Sequence, residues 1–471
     1  MRPRSTRRLS AALALALAVL LTPACGGGDD AGSAGDLTDA EVDRLVRLAF
    51  PYVALYNVNN KSIVTAGGLN RVFADTRLKD HTLQDIARPN NDTFYIGAVL
   101  DLRETAVILD LPAFDSDYVS LMVTAYDHYV NVPLSTRQGD FQEPTRILFY
   151  TERTQDYGGE PVEGVDEYFE ATGDIVSAIL RVMPHATEPE RLARITEQAN
   201  AVSLETLAEL RGDPAPTADG SGMPPVGATD VALFQDNLSE VMQFVFDHTT
   251  FDPSNPDDQA VLEAFAPLGI APGDTADEAE LQAALGPRLA AAAQAVEQEW
   301  MAAMADPEVF ERIRPLAFQP KGATTAEAVL AYSVFGPIGQ PQQEAVYPSV
   351  GTADGQPLNA LHDYVIRMDA DELPPARAFW SLTLYDLENG FFIPNDQFKY
   401  SVGANSGMQL DDDGGIEIWI AHEQPQGVPD ENWLPIPRED LDLSLTLRVY
   451  VPDLEAYDDW TPPVAEQVNG G

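Results

Sequence analysis

The chain has 471 residues, 45% of them hydrophobic, enough to build a sizeable core in two or three domains. Its 75 Asp and Glu against 28 Lys and Arg give a formal charge of −47, a surface that repels nucleic-acid phosphates and anionic lipid headgroups. Nucleic acid is thereby excluded as a partner, and the single cysteine, Cys25, excludes any internal disulfide.

The chain opens with Arg2, Arg4, Arg7 and Arg8, followed by an apolar run from Leu9 to Leu21. This run is shorter than the roughly 20 residues that a membrane-spanning helix needs, so it reads as an export signal. Thr22-Pro23-Ala24-Cys25 closes it. Two fates for Cys25 follow. It is the lipidated first residue of a bacterial lipoprotein, or it begins a soluble periplasmic or secreted protein. The lipoprotein reading is favoured, because Gly26 to Asp36 forms a polar, glycine-rich tether of the kind that separates a lipid from a folded body. Removing residues 1–24 takes away four arginines and makes the charge −51.

Thr38-Asp39-Ala40-Glu41 has capping-box spacing, and Leu37 is placed to staple onto Val42. Val42, Leu45, Val46 and Ala49 recur at helical spacing, which predicts a helix from Asp39 to about Phe50 that bends or ends at Pro51. From Phe94 the period becomes two, and strands are expected over 94–100, 105–111, 118–126, 146–150 and 174–183. Thr187 to Glu190 again has capping-box spacing and predicts a helix running to about Leu210. A Gly- and Pro-rich linker, 212–228, precedes helices over 230–248, 256–265 and 277–304. Period two returns at 378–385, 416–420 and 443–451, and the tail beyond Asp453 reads as acidic and loosely held. The expected class is α+β, with two antiparallel β-sandwich-like domains joined by a helical segment. Its parts are a signal (1–24), a tether (25–37), a β domain (38–185), a helical connector (186–335), a second β domain (336–453) and the tail (454–471).

Nucleophile elbows, zinc-binding helices, phosphate loops and paired cysteines are absent as motifs, and no cofactor or metal is expected. Two polar words stand among hydrophobic ones. Arg88, Asn90, Asp92 and Tyr95 lead into a strand; Asp127, Tyr129 and Asn131 leave one. If the strands are neighbours, the two words converge, and an arginine, two carboxylates and phenols would orient a small polar ligand or perform acid–base chemistry. Turn-forming Asn and Asp at strand ends offer a purely structural alternative. Asp411-Asp412-Asp413-Gly414-Gly415 reads as a turn before it reads as a calcium loop. Trp380, Tyr385, Phe391, Phe392, Trp419 and Trp433 read as core.

These words carry a resemblance. RPNNDTFY (88–95), Asp101, LPAF (111–114) and YDHYVN (126–131) resemble the bacterial domain-of-unknown-function family 1254. DGQPLN (354–359), LPPARAFWSLTLYD (373–386), IPN (393–395), YSVG (400–403), NWLPIP (432–437) and LRVYVP (447–452) resemble its C-terminal partner, family 1214, and LEAFAPLGIAPGD (262–274) is similar to the connector of such proteins. The chain departs from the family pattern at PLSTRQGDF (133–141) and at Asn91. The resemblance implies two β-sandwich-like domains joined by helices, and it brings no reaction with it. The expected function is that of an exported, lipid-anchored cell-envelope protein that binds a small polar ligand. The alternative is an exported hydrolase or lyase working near Arg88, Asp92, Tyr95, Asp127 and Tyr129.

Overall fold

In the computed structural model, residues 37–84, 87–218, 220, 222–274 and 278–468 are described. Cys25, the expected export signal and the expected tether up to Asp36 lie outside them. Helix α1 spans Asp39–Ala66 and carries Pro51 inside it. Of the two expected outcomes at Pro51, a bend or an end, the end is overturned, since the helix continues to Ala66. The helix is enclosed on several sides, with Val46, Ala49, Phe50, Val53, Ala54 and Tyr56 all buried, and this packing outweighs the one hydrogen bond that proline forfeits.

The first sandwich holds β1 (Phe73–Asp75), β2 (Phe94–Asp101), β3 (Val107–Leu111), β4 (Val119–Ala125), β5 (Val130–Ser135), β6 (Thr145–Tyr150), β7 (Glu167–Glu170), β8 (Ile175–Val182) and β9 (Ser203–Thr206). One sheet runs β1-β2-β8-β4-β5 and the other β7-β6-β3-β9. Ladders are antiparallel except β6 with β7. Alternation assigns the faces. Phe94, Ile96, Ala98 and Leu100 of β2 meet Val107, Leu109 and Leu111 of β3 in one core. Helix α2 (Pro189–Ala201) closes that core with Ile195 and Ala199. The predicted helix to Leu210 stops early, because Ser203–Thr206 adds an edge to β3 before the short helix α3 (Leu207–Leu210). The capping box forms there, between Thr206 and Glu209, and not at Thr187.

The helical region that joins the two sandwiches also forms a layer on the first. Helices α4 (Asp230–Asp236), α5 (Leu238–Asp247), α6 (Pro256–Phe265), α7 (Glu278–Met304), α8 (Pro307–Ile313) and α9 (Ala326–Phe335) share one core with α1. Val99, Tyr126 and Ile175, from the outer face of the five-stranded sheet, join that core. The expected helix over 230–248 is broken at Asn237, the C-cap of α4.

The second sandwich comprises β10 (Ala345–Val346), β11 (Ser349–Val350), β12 (Leu358–Asn359), β13 (Asp363–Met368), β14 (Ala376–Asp386), β15 (Ser401–Gly403), β16 (Ile416–Ala421), β17 (Trp433–Pro435), β18 (Asp442–Pro452) and β19 (Glu466–Val468). One sheet runs β10-β18-β14-β15, with β11 and β12 also on β18, and the other β17-β16-β13-β19. Leu443, Leu445, Leu447 and Val449 of β18 meet Ile416, Ile418 and Ile420 between the sheets. Each buried aliphatic side chain of this kind contributes roughly 1.5–3 kcal/mol. Residues 454–468 are not loose: α10 (Leu454–Asp459) buries Tyr457, and β19 pairs with β13. Asp411 to Gly415 form a turn, with Gly414 N–H on the Asp411 carbonyl and Asp411 N–H on the Gly415 carbonyl.

Candidate functional site

The register decides where the two polar words go. In β8, Val182 pairs with Phe94 of β2 and with Val119 of β4, so β2 and β4 start at the same edge of the sheet. Asp92 precedes β2, whereas Asp127 follows β4. The two words therefore sit at opposite ends of the strands, roughly 20 Å apart. The expected convergence is corrected by topology. Each word contains a residue with left-handed backbone, Arg88 (φ 50°) and His128 (φ 66°), which turns the chain at either end.

At the first end, the word plugs into the second sandwich. The outer faces of β14 and β18 present Ser381, Thr383, Tyr385, Arg448 and Tyr450. Asp92, 1% exposed, accepts from the hydroxyls of Ser381 (2.6 Å) and Tyr450 (3.1 Å) on one oxygen. Burial pushes its carboxyl above the ordinary value, while Arg448 and the two hydroxyls pull the other way. Asn90 donates to the hydroxyls of Tyr95 (3.1 Å) and Tyr450 (2.9 Å). Arg88 does not serve as the arginine of this cluster. Its side chain is exposed, and its backbone does the work, giving its N–H to Gly390 and its carbonyl to Arg448. The guanidinium beside Asp92 is that of Arg448, which also donates to Thr383 (2.8 Å) and Tyr385 (2.7 Å). Tyr95 pairs with Arg181 across the ladder, and that guanidinium lies over its ring at 5.6 Å. This end is a seam between the two sandwiches.

At the other end, Asp127 and Tyr129 line a cleft of about 380 Å³, counting its solvent-open mouth. Leu48, Pro51 and Tyr52 of α1, Val261 of α6 and Ala326 and Val329 of α9 form the walls. Asp258, 1% exposed, enters from the first turn of α6, and Lys321 from the loop before α9. The Lys321 ammonium donates to both Asp258 oxygens (2.8 and 3.1 Å) and lies 5.0 Å from the Tyr129 ring centre. It stands 3.5 Å from Asp127 Oδ2, an ion-pair distance that leaves this buried oxygen without a hydrogen bond. Burial raises the Asp127 carboxyl above its ordinary value, with Lys321 opposing. Burial works to lower the Lys321 ammonium, but Asp127 and Asp258 outweigh it and hold the group above its usual value, charged and not nucleophilic. Burial first, then the same carboxylates, raise the Tyr52 and Tyr129 hydroxyls. Asn131 stands apart from this chemistry: its side chain donates to the Tyr129 carbonyl (2.9 Å) and to Thr172 (3.2 Å), pinning the loop before β8. His128 turns the opposite way, stacks on Phe318 and is held neutral, its pKa pushed down to about 4 by burial. Among the described residues, no three His, Cys, Asp or Glu side chains are placed to hold a metal ion.

Sequence reading finds Asp127 and Tyr129 but misses Tyr52, Asp258 and Lys321. These come from three distant segments, and no spacing links them. Only the first-turn position of Asp258 behind Asn255-Pro256 is a local signal, and it reads simply as a helix start.

A two-sandwich chain with a helical layer and a polar seam defines the class. Residues 69–206 match the model of the family described as Protein of unknown function (DUF1254), and residues 344–454 that of Protein of unknown function (DUF1214). The two matches stand in tandem, the first N-terminal and the second C-terminal. It is similar to the VPA0106 protein from Vibrio parahaemolyticus, whose crystal structure matches with a TM-score of 0.70 at 23% identity, covering 91% of this chain and 100% of that one. This likeness shows the fold alone. An uncharacterized protein from Burkholderia cenocepacia matches with a TM-score of 0.42 at 13% identity, covering 93% of each chain. No curated protein matches the chain by sequence.

Proposed function

We propose that the protein is an exported cell-envelope protein, anchored through a lipid on Cys25, that binds a small polar ligand in the Asp127–Lys321 cleft. The N-terminal basic residues, apolar run and glycine-rich tether support the location. One observation carries the binding reading: Asp127 Oδ2 is buried, lines an open cleft and makes no hydrogen bond. Its one near partner is the Lys321 ammonium at 3.5 Å, and a donor on a ligand would supply the hydrogen bond that this contact does not. The mass of the mature N-terminus tests the location. Diacylglycerol on Cys25 is expected, and a free thiol there would leave a soluble exported protein. A thermal-shift screen of small polar compounds tests the cleft, with the shift lost in Asp127→Asn.

The position of Asp127, buried at the cleft with its carboxyl raised by burial, favours one second reading, an acid–base hydrolase or lyase at the same cleft. Asp92 has no part in it, since both its hydroxyl partners are structural. Turnover of ester, amide or glycoside substrates that survives Asp127→Asn would remove this reading.

A further inference from the structure

We infer that the cleft recognises a compact primary ammonium ion, the charged end of a small organic amine. This rests on the proposal that the cleft binds a ligand and specifies its chemistry. Three carboxylates, Asp127, Asp257 and Asp258, line the cleft. Lys321 supplies one positive charge against them. The other basic lining residue, Arg47, is already engaged by Asp43 (2.9 Å) and Glu299 (3.2 Å) and does not neutralise the cleft. The remaining field is negative, and the phenols of Tyr52 and Tyr129 register it as hydroxyls pushed up by these carboxylates as well as by burial.

The unmet group is an acceptor, the Asp127 Oδ2 oxygen, so the complementary atom is a donor. Pro51, in the same wall, has no N–H and withholds the helical donor that the Arg47 carbonyl would otherwise take. The protein itself shows that an ammonium is held here. Lys321 rests between two carboxylates with an aromatic ring at 5.0 Å, the arrangement that binds cationic heads. A second ammonium entering from the mouth meets Asp127, Asp257 and the Tyr52 phenol. A primary ammonium has three N–H donors for these oxygens, whereas a quaternary one has none and is bulkier.

The test is calorimetric titration of the purified full chain, in phosphate buffer at fixed ionic strength, with ethylammonium, tetramethylammonium, 1-propanol and sodium chloride. Saturable binding of ethylammonium is expected, at least tenfold tighter than that of tetramethylammonium or 1-propanol. Asp127→Asn should weaken it at least tenfold, and the rim variant Asp257→Asn by a few-fold without disturbing the buried pair. Binding of 1-propanol that matches ethylammonium and falls in Asp127→Asn would overturn the ammonium inference while keeping the cleft as a ligand site. An ethylammonium response equal to that of sodium would reduce the effect to screening of an acidic surface and overturn it as well. Silence from every compound in the broader polar screen would remove the ligand reading itself.

Discussion

The two ends of the five-stranded sheet carry similar polar words and put them to opposite use. At one end Asp92 is enclosed by the second sandwich, and its buried oxygen receives two hydroxyl donors. At the other end Asp127 is as deeply buried, yet it faces a cleft and keeps an oxygen that has the Lys321 ammonium at 3.5 Å but no hydrogen bond. Burial raises both carboxyls above their ordinary values. A perturbed carboxyl therefore does not by itself mark a site; what separates the two is whether its hydrogen-bonding capacity is consumed by the fold.

The largest effect that would break this comparison is at the seam. Arg448→Met removes donors from Thr383, Tyr385 and the Arg88 carbonyl and leaves Asp92 without its compensating charge. Urea unfolding should show a loss of about 3–5 kcal/mol, and a loss within experimental error would refute the seam as a lock. Next in size, Asp92→Ala strands the hydroxyls of Ser381 and Tyr450 and should cost about 1–3 kcal/mol. Asp127→Asn keeps a carbonyl for the Tyr129 N–H and should cost less than about 1 kcal/mol while abolishing ligand-induced stabilisation. Equal costs at the two positions would erase the contrast. The smallest effect is in pH dependence. A carboxyl raised in the folded state favours folding while it holds its proton, and this contribution is lost as pH climbs from the ordinary value of 3.8 through the raised one. Asp174, gripped by Arg153 and His248, is lowered and acts in the opposite sense, its contribution fading as pH falls below 3.8. In melting curves, Asp127→Asn should flatten the decline on the upper side and Asp174→Asn the decline on the acid side.

Much of the framework was legible in the sequence. Alternation at Phe94–Leu100 and Leu443–Val449 marked the strands because each has one face in a dry core. Pro51 misleads because propensity is local, whereas the packing around α1 is supplied by helices as far along the chain as α9. At the seam, Arg88 drew attention by standing beside a polar word, and the working arginine was hidden inside a strand. Thr446, Arg448 and Tyr450 alternate with leucines and valine, and an arginine on a strand with apolar neighbours is a signal for a buried partner. The tight fit of that partner is also visible at Gly403, where a Cβ would stand 2.8 Å from the Trp380 carbonyl and 2.7 Å from the Ser381 Cβ, behind the hydroxyl that holds Asp92. The cleft was half legible for a different reason: its acid came in a recognisable word, but its ammonium came from an unremarkable loop.

Of Asp92 and Arg448, the acid belongs to the first family's segment and its counter-charge to the second's. Either half alone would leave a desolvated charge without its opposite, so each half is expected to fold poorly without the other. The same logic governs proteolysis: a nick in the helical layer leaves two fragments that still need each other, and they should stay together until denaturant parts them. The two segments meet at the seam as parts of one fold, at the far end of the sheet from the cleft.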